Sequence, residues 1–245
     1  MSGTPLVLVT TSGLAREVLA LLRMHPMYQV VGFVDDDPVR QGTTVDYVPV
    51  LGPVQALRDR PDVQVLVCAG RGSVREALVG RLEQLGVDEQ RYATVVHPGV
   101  EVPPGCSVGV GSILLAGTVL TAAVTVGRHV AVMPHVTLTH DDVVEDYATV
   151  CAGVHLAGRV RVGRAAYLGT GSTVREDVQV GAGATLGMGA ALVDDLPAGQ
   201  TWAGVPARHL AAAVRAPRHG VSARVETTDD PRPATVPDEQ RAGAA

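Results

Sequence analysis

Lysine and asparagine are both missing from this 245-residue chain. Without lysine, no Schiff base can form on a side-chain amine, and pyridoxal chemistry is excluded with it. All twenty cationic side chains are arginines. Without asparagine, left-handed turn positions fall to glycine and aspartate. Aromatic residues are scarce, with one Phe, one Trp and five Tyr, which suits a thin, repetitive interior better than a bulky one. The three cysteines, Cys68, Cys106 and Cys151, are odd in number and show no C-x-x-C spacing. That argues against a disulfide framework or zinc knuckle and predicts a reduced, cytoplasmic protein. No run approaches the ~20 apolar residues of a membrane-spanning helix, and the opening Met1-Ser2-Gly3-Thr4-Pro5 lacks the basic and apolar stretches of a leader. The net charge of −5, with arginines scattered along the chain, argues against nucleic acid as a partner.

What is present falls into three sections. Residues 1–95 alternate short apolar runs with helical patterns. Leu6–Val9, Val30–Val34 and Val63–Val67 read as buried strands. Helices are predicted from about Leu14 to Met24 and from Val74 to Leu85, the second stopped by Gly86. This alternation predicts a small α/β, Rossmann-like domain with a parallel sheet. No dinucleotide fingerprint is present, so NAD is not expected.

From residue 96 the rhythm changes. Every sixth residue from Val96 through Val102, Val108 and Leu114 to Leu192 is Val or Leu without a phase break. The position four further on is nearly always small or Val, as at Cys106, Ser112, Thr118 and Val124. Neither a helical nor a simple strand period produces this; it is the hexapeptide repeat of a parallel β-helix. Three six-residue faces make an eighteen-residue triangular coil, and residues 96–210 hold between five and six of them. The expected fold is an all-β left-handed parallel β-helix following the α/β domain. The tail, residues 211–245, is rich in Pro, Arg, Asp and Thr without periodicity, a composition that predicts disorder.

Several motifs accompany the repeat: Gly13 and Arg16-Glu17 after the first strand, Val31-Gly32-Phe33-Val34-Asp35-Asp36, Val96-His97-Pro98, His140-Asp141 and Ala203-Gly204-Val205-Pro206-Ala207-Arg208. Over roughly residues 5–210 the chain resembles hexapeptide-repeat sugar O-/N-acetyltransferases of the sialic-acid and bacillosamine type. The resemblance implies a homotrimer with acetyl-CoA or another acyl-CoA in the groove between neighbouring β-helices. It implies an amino-sugar or nucleotide-sugar acceptor against the N-terminal domain, and a general base at His140-Asp141. Gly158, Thr170, Met188 and Arg208 are the residues expected to meet acyl-CoA; Ser12, Gly13, Asp35 and Asp36 are expected at the acceptor.

Acyl transfer from a thioester needs a deprotonated nucleophile and stabilisation of a tetrahedral oxyanion. A histidine can take that proton at neutral pH. Asp141 can fix the imidazole tautomer and stabilise the imidazolium. Gly158, eighteen residues on, lies one coil above His140 and allows close approach of the thioester. Direct attack without an acyl-enzyme is expected. Asp142 occupies a position that is small or Val in the other repeats and commonly Cys in similar proteins. A carboxylate there tunes His140, marks a changed acceptor site, or serves the corner structurally. Cys151 reads as a core cysteine, and His129, His135 and His155 as surface residues. Thr10-Thr11-Ser12 stands where similar proteins carry a Gly-rich turn, so hydroxyls would have to hold any phosphate.

Two other readings share the prism. His135 and His140 have the His-x4-His spacing of γ-class carbonic anhydrases, but residues 98–128 contain no third histidine, so no metal is expected. A non-catalytic trimeric scaffold is the other.

Overall fold

The computed structural model describes residues 3–210; the tail, for which disorder is predicted, lies outside them. Strand β1 (Thr4–Val9) lies between β2 (Tyr28–Val34) and a later strand, Gln64–Val67, all parallel. Helix α1 (Gly13–Met24) follows β1, and its Leu14, Ala15, Val18, Leu19, Leu21 and Leu22 form one buried face at helical spacing. A two-residue hairpin, β3 (Thr44–Val45) and β4 (Val48–Pro49), follows β2. Gln64–Val67 is then β5, and helix α2 (Gly72–Gln84) follows it. Each predicted strand and helix is present with slightly shifted ends.

Beyond residue 94 the chain coils. Two-residue strands recur every six residues and pair in parallel with the segment eighteen residues on, as in Ala131↔Thr149, Val143↔Arg161 and His155↔Thr173. The first face runs from Val95–Val96 to Thr201–Ala203 and ends in an antiparallel strand, Arg208–His209. The second runs from Val119–Leu120 to Ala191–Leu192, and the third from Ser107–Val108 to Gln179–Val180. The aliphatic sixth residues and the small residues four beyond them fill one interior cluster. Val102 departs from the pattern. It is 42% exposed, because residues 97–106 form a loop that enters the first full coil, and Val100 occupies the core there.

Corners impose a second period. Every sixth residue from Gly105 to Gly189 has positive φ, between +52° and +88°. Glycine and aspartate fill many of these positions as the absence of asparagine predicts. Ala123, His129, His135, Tyr147, Arg159 and Ala165 fill others. Stacked backbone hydrogen bonds, such as Tyr147 N–H to the Arg128 carbonyl (2.9 Å), hold them in this costly conformation.

The N-terminal sheet and helices sit on the first face. Outward-facing Val95, Ile113 and Ala131 are buried in one cluster with α1. Gly72, the first residue of α2, presses on the coil, and a Cβ there would collide with the Tyr147 carbonyl. Arg75, one turn further, is 1% exposed. Its guanidinium donates to the carbonyls of Ala69 (2.5 Å), His129 (2.7 Å), Tyr147 (2.8 Å) and Ala148 (2.9 Å), and to the Thr149 hydroxyl (3.1 Å). Among the described residues it pairs with no carboxylate, and burial pulls it down to about 10. His129, expected at the surface, is fully buried instead: it stacks on Tyr147 and meets Tyr92 edge-on beneath this junction. Among the described residues no helix is long and apolar enough to cross a membrane.

Two outcomes follow from this junction. Arg75→Met keeps the aliphatic stem but orphans the carbonyls, and urea unfolding should report a loss of about 3 kcal/mol or more. Burial pushes the His129 imidazole down to about 4 from its ordinary 6.5. The unfolded chain therefore binds a proton that the folded chain refuses between about pH 4 and 6.5, and stability falls as pH drops through that window. Tm measured from pH 7.5 to 4.5 should decline, and His129→Phe should flatten part of that decline.

Candidate active site

His140 and Asp141 sit in the turn between the second and third faces. His140 Nδ1 lies 2.8 Å from Asp141 Oδ2, and both side chains are about half exposed. Asp141 reaches the ring because its own backbone is left-handed, at φ +64°. A carboxylate at this distance favours the tautomer with the proton on Nδ1, in which Nε2, on the Gly158 side of the ring, keeps its lone pair. Gly158 is the next step of the same corner. A Cβ there would collide with Cε1 and Nε2 of the imidazole, so the ring lies flat over the bare glycine. The coil above also donates the Arg159 N–H to the His140 carbonyl (2.9 Å). Arg159 itself turns upward to Asp177 (2.5 and 2.8 Å), leaving Asp141 to the imidazole.

Asp142, the next residue of the same turn, is fully buried. Its two oxygens accept the N–H groups of Thr139 (2.7 Å) and Val160 (2.9 Å). Burial pushes its carboxyl up to about 6, against the opposing pull of those two N–H groups and of His140.

The four residues expected at acyl-CoA do not gather at one corner. Gly158 stacks on the imidazole from the coil above, and Arg208, in the strand that ends the first face, brings its guanidinium 3.7 Å from Asp194. Thr170 and Met188 stack on each other at the corner between the first and second faces, where the Gly189 N–H meets the Thr170 carbonyl and Met188 is 80% exposed. Within one chain these do not form a single site.

The acceptor residues are likewise engaged. Ser12 caps α1, accepting from Ala15 N–H (3.3 Å), and its hydroxyl donates to the Cys68 carbonyl. Gly13 opens that helix with nothing near its missing Cβ. Asp35 accepts from the Thr11 N–H and hydroxyl (both 2.7 Å), and Asp36 pairs with Arg81 (2.6 Å). Asp35, Asp36, Thr10 and Arg81 line a cavity of about 310 Å³ at the carboxyl ends of β1 and β2. Ser12 and Gly13 do not line it.

A second cavity, of about 360 Å³, was not read from the sequence. Leu14, Gly70, Arg71, Met133, Thr149, Cys151 and Tyr167 line it, with the Arg71 guanidinium 4.6 Å from the Tyr167 ring centroid. It opens where α1 and α2 both begin, beyond the carboxyl ends of β1 and β5. The order β2-β1-β5 makes this the point where the chain reverses its direction across the sheet, the usual ligand crevice of such sheets. Gly70-Arg71-Gly72 after β5 was the available signal. Cys151 is a wall of this cavity, and burial raises its thiol, so it is no activated nucleophile.

His135 and His140 stand on different corners of one coil, ~16 Å apart along the chain at ~3.3 Å per residue. Their spacing therefore makes no ligand pair within the chain, and among the described residues no three His, Cys, Asp or Glu side chains gather as a metal site.

No family model and no curated protein matches the chain. Solved structures do. The acetyltransferase domain of PglB from Neisseria gonorrhoeae FA1090 is 29% identical, over 85% of this chain and 100% of that domain, with a TM-score of 0.75. The likeness is to sugar acetyltransferases. That domain has also been solved in complex with acetyl coenzyme A, with a TM-score of 0.76. PerB from Caulobacter crescentus, in complex with CoA and GDP-perosamine, is 28% identical over 86% of this chain and 98% of that one, with a TM-score of 0.77. WeeI from Acinetobacter baumannii AYE is 29% identical over 84% of this chain and 99% of its own, with a TM-score of 0.64. The fold is thus the parallel β-helix of these enzymes, with an α/β unit on its flank.

Adding one methyl at Gly158 tests the site's geometry directly. A crystal structure of Gly158→Ala should show the His140 ring rotated out and its bond to Asp141 broken, with the coil backbone unchanged.

Proposed function

We propose that this protein is an acetyl-CoA-dependent N-acetyltransferase whose acceptor is an amino sugar carried on a nucleotide. The observation that carries the reading is the His140 imidazole, oriented by Asp141 and laid over the bare Gly158 on a β-helix like those of the CoA-bound enzymes.

Chemically, the acceptor amine must reach the thioester carbonyl with its lone pair free. Nε2 of His140 takes the amine proton as the new C–N bond forms, and Asp141 stabilises the resulting imidazolium. A backbone N–H on the Gly158 side meets the developing oxyanion. When the C–S bond breaks, the imidazolium returns a proton to the departing thiolate, releasing CoA thiol. No side chain is acylated.

Residues 1–95 serve as a Rossmann-like acceptor-binding domain and residues 96–210 as a left-handed β-helix acyltransferase domain. The nucleotide phosphates meet the N-termini of α1 and α2 beside Arg71, where backbone N–H groups and a guanidinium favour anions. This cavity adjoins one corner of the prism and His140 sits at the next, ~16 Å further along the coil. In this reading a neighbouring copy of a homotrimer brings its imidazole to the cavity, with acyl-CoA held between the columns. Cytoplasmic residence fits three unpaired cysteines.

The test is release of CoA thiol from acetyl-CoA with a panel of nucleotide-linked amino sugars. His140→Ala should lose about 100- to 10,000-fold in kcat, the range that a general base contributes, and Asp141→Asn a smaller factor. Absence of thiol release across the panel, or an undiminished rate in His140→Ala, would overturn the reading.

A further inference from the structure

We propose that Asp142 is the positioning residue of the active site: its buried carboxylate clasps the turn that carries His140 to the coil on which the imidazole rests. The proposal rests on the reading of His140 as the base.

Asp142 stands in a vertical stack of corner side chains, between the buried Val124 below and the buried Val160 above, and is itself 0% exposed. An ionisable group in an aliphatic column is costly unless each oxygen finds a donor. Here each does. Oδ2 takes the N–H of Thr139, the residue immediately before His140, and Oδ1 takes the N–H of Val160, two residues after Gly158. One side chain thus ties together the segment bearing the imidazole and the segment lying against its face.

Other polar corners show that structure alone does not demand a carboxylate. Ser112 accepts the N–H of Val130 (2.9 Å) and Cys106 that of Val124 (3.4 Å), each serving the residue eighteen positions on with a neutral group. Thr118 also reaches into its own turn, but as a donor, its hydroxyl bonding the Leu115 carbonyl (2.8 Å). Of these four corners Asp142 alone accepts N–H groups from both its own turn and the coil above, and it does so at the turn that carries the base.

Protonation would weaken it, since a carboxylic acid turns an O–H toward one of the two N–H donors. The charged groups facing Asp142 are His140 and Asp141 on its own turn. The coil above offers Arg159, which is engaged with Asp177, and the coil below, residues 121–124, carries no titratable side chain. With its carboxyl pushed up to about 6, Asp142 loses its charge as pH falls through the range of ordinary assays. The acid limb of the rate profile then reports the clasp together with the imidazole.

The experiment compares full-length wild type, Asp142→Ser and His140→Ala in the CoA-thiol assay from pH 5 to 8. Serine reproduces the Ser112 corner, keeping the Val160 bond and losing the Thr139 bond. Expected for Asp142→Ser is a kcat lower by ~10- to 100-fold, the scale of an ångström-sized misplacement. KM for acetyl-CoA should stay within about twofold, and the acid limb should become shallower. Wild-type kcat with an unchanged acid limb would overturn the clasp. A fully active His140→Ala would instead sink the base assignment, and the two failures are distinguishable. Should the serine variant not fold, wild-type NMR decides: the amide protons of Thr139 and Val160 should titrate together with a midpoint near 6. Flat shifts between pH 5 and 7 would overturn the proposal.

Discussion

The backbone hydrogen bond between residue i and the coil eighteen positions away governs everything else in this molecule. Once that bond is repeated, the vertical neighbours of any residue follow by counting. His140 has Ala122 beneath it and Gly158 above; Asp142 has Val124 and Val160. The same ladder holds left-handed backbone at alanine, histidine, tyrosine and arginine corners, where an isolated turn would reject it. The column thus tolerates unfavourable local choices because each is braced from both sides.

That constraint explains why so much was legible. An interior one aliphatic side chain wide leaves a strict sixfold trace, and sequential strands buried on both faces leave the Leu6–Val9 and Val63–Val67 runs. The stacking at the candidate turn was legible too, because His140-Asp141 and Gly158 are related by the eighteen-residue count. Val102 misled because periodicity in sequence does not report where the first coil closes; the chain was still a loop there.

What the sequence hid depends on docking rather than on period. No sequence signal marks Arg75 as buried, yet α2 lies against the coil and its guanidinium satisfies carbonyls that the corner leaves open. His129 occupies a corner position that mostly faces solvent along the other two edges of the prism, and the N-terminal unit covers it together with Gly111 and Tyr147. Arg71 and Tyr167 are nearly a hundred residues apart and meet only because the first face carries that unit. Ser12 and Asp35 both tie down the loop after β1; Asp35 still lines the cavity beside that loop, whereas Ser12 spends its hydroxyl on the helix cap and the Cys68 carbonyl.

The Arg75 contact has one more consequence. A guanidinium shared among carbonyls from α2's approach and from two successive coils cannot be stretched without abandoning several bonds at once. Swinging the sheet away from the column would break all of these bonds together, which opposes a hinge between them. A ligand entering the crevice would accordingly meet walls already standing, with no clamshell to close around it.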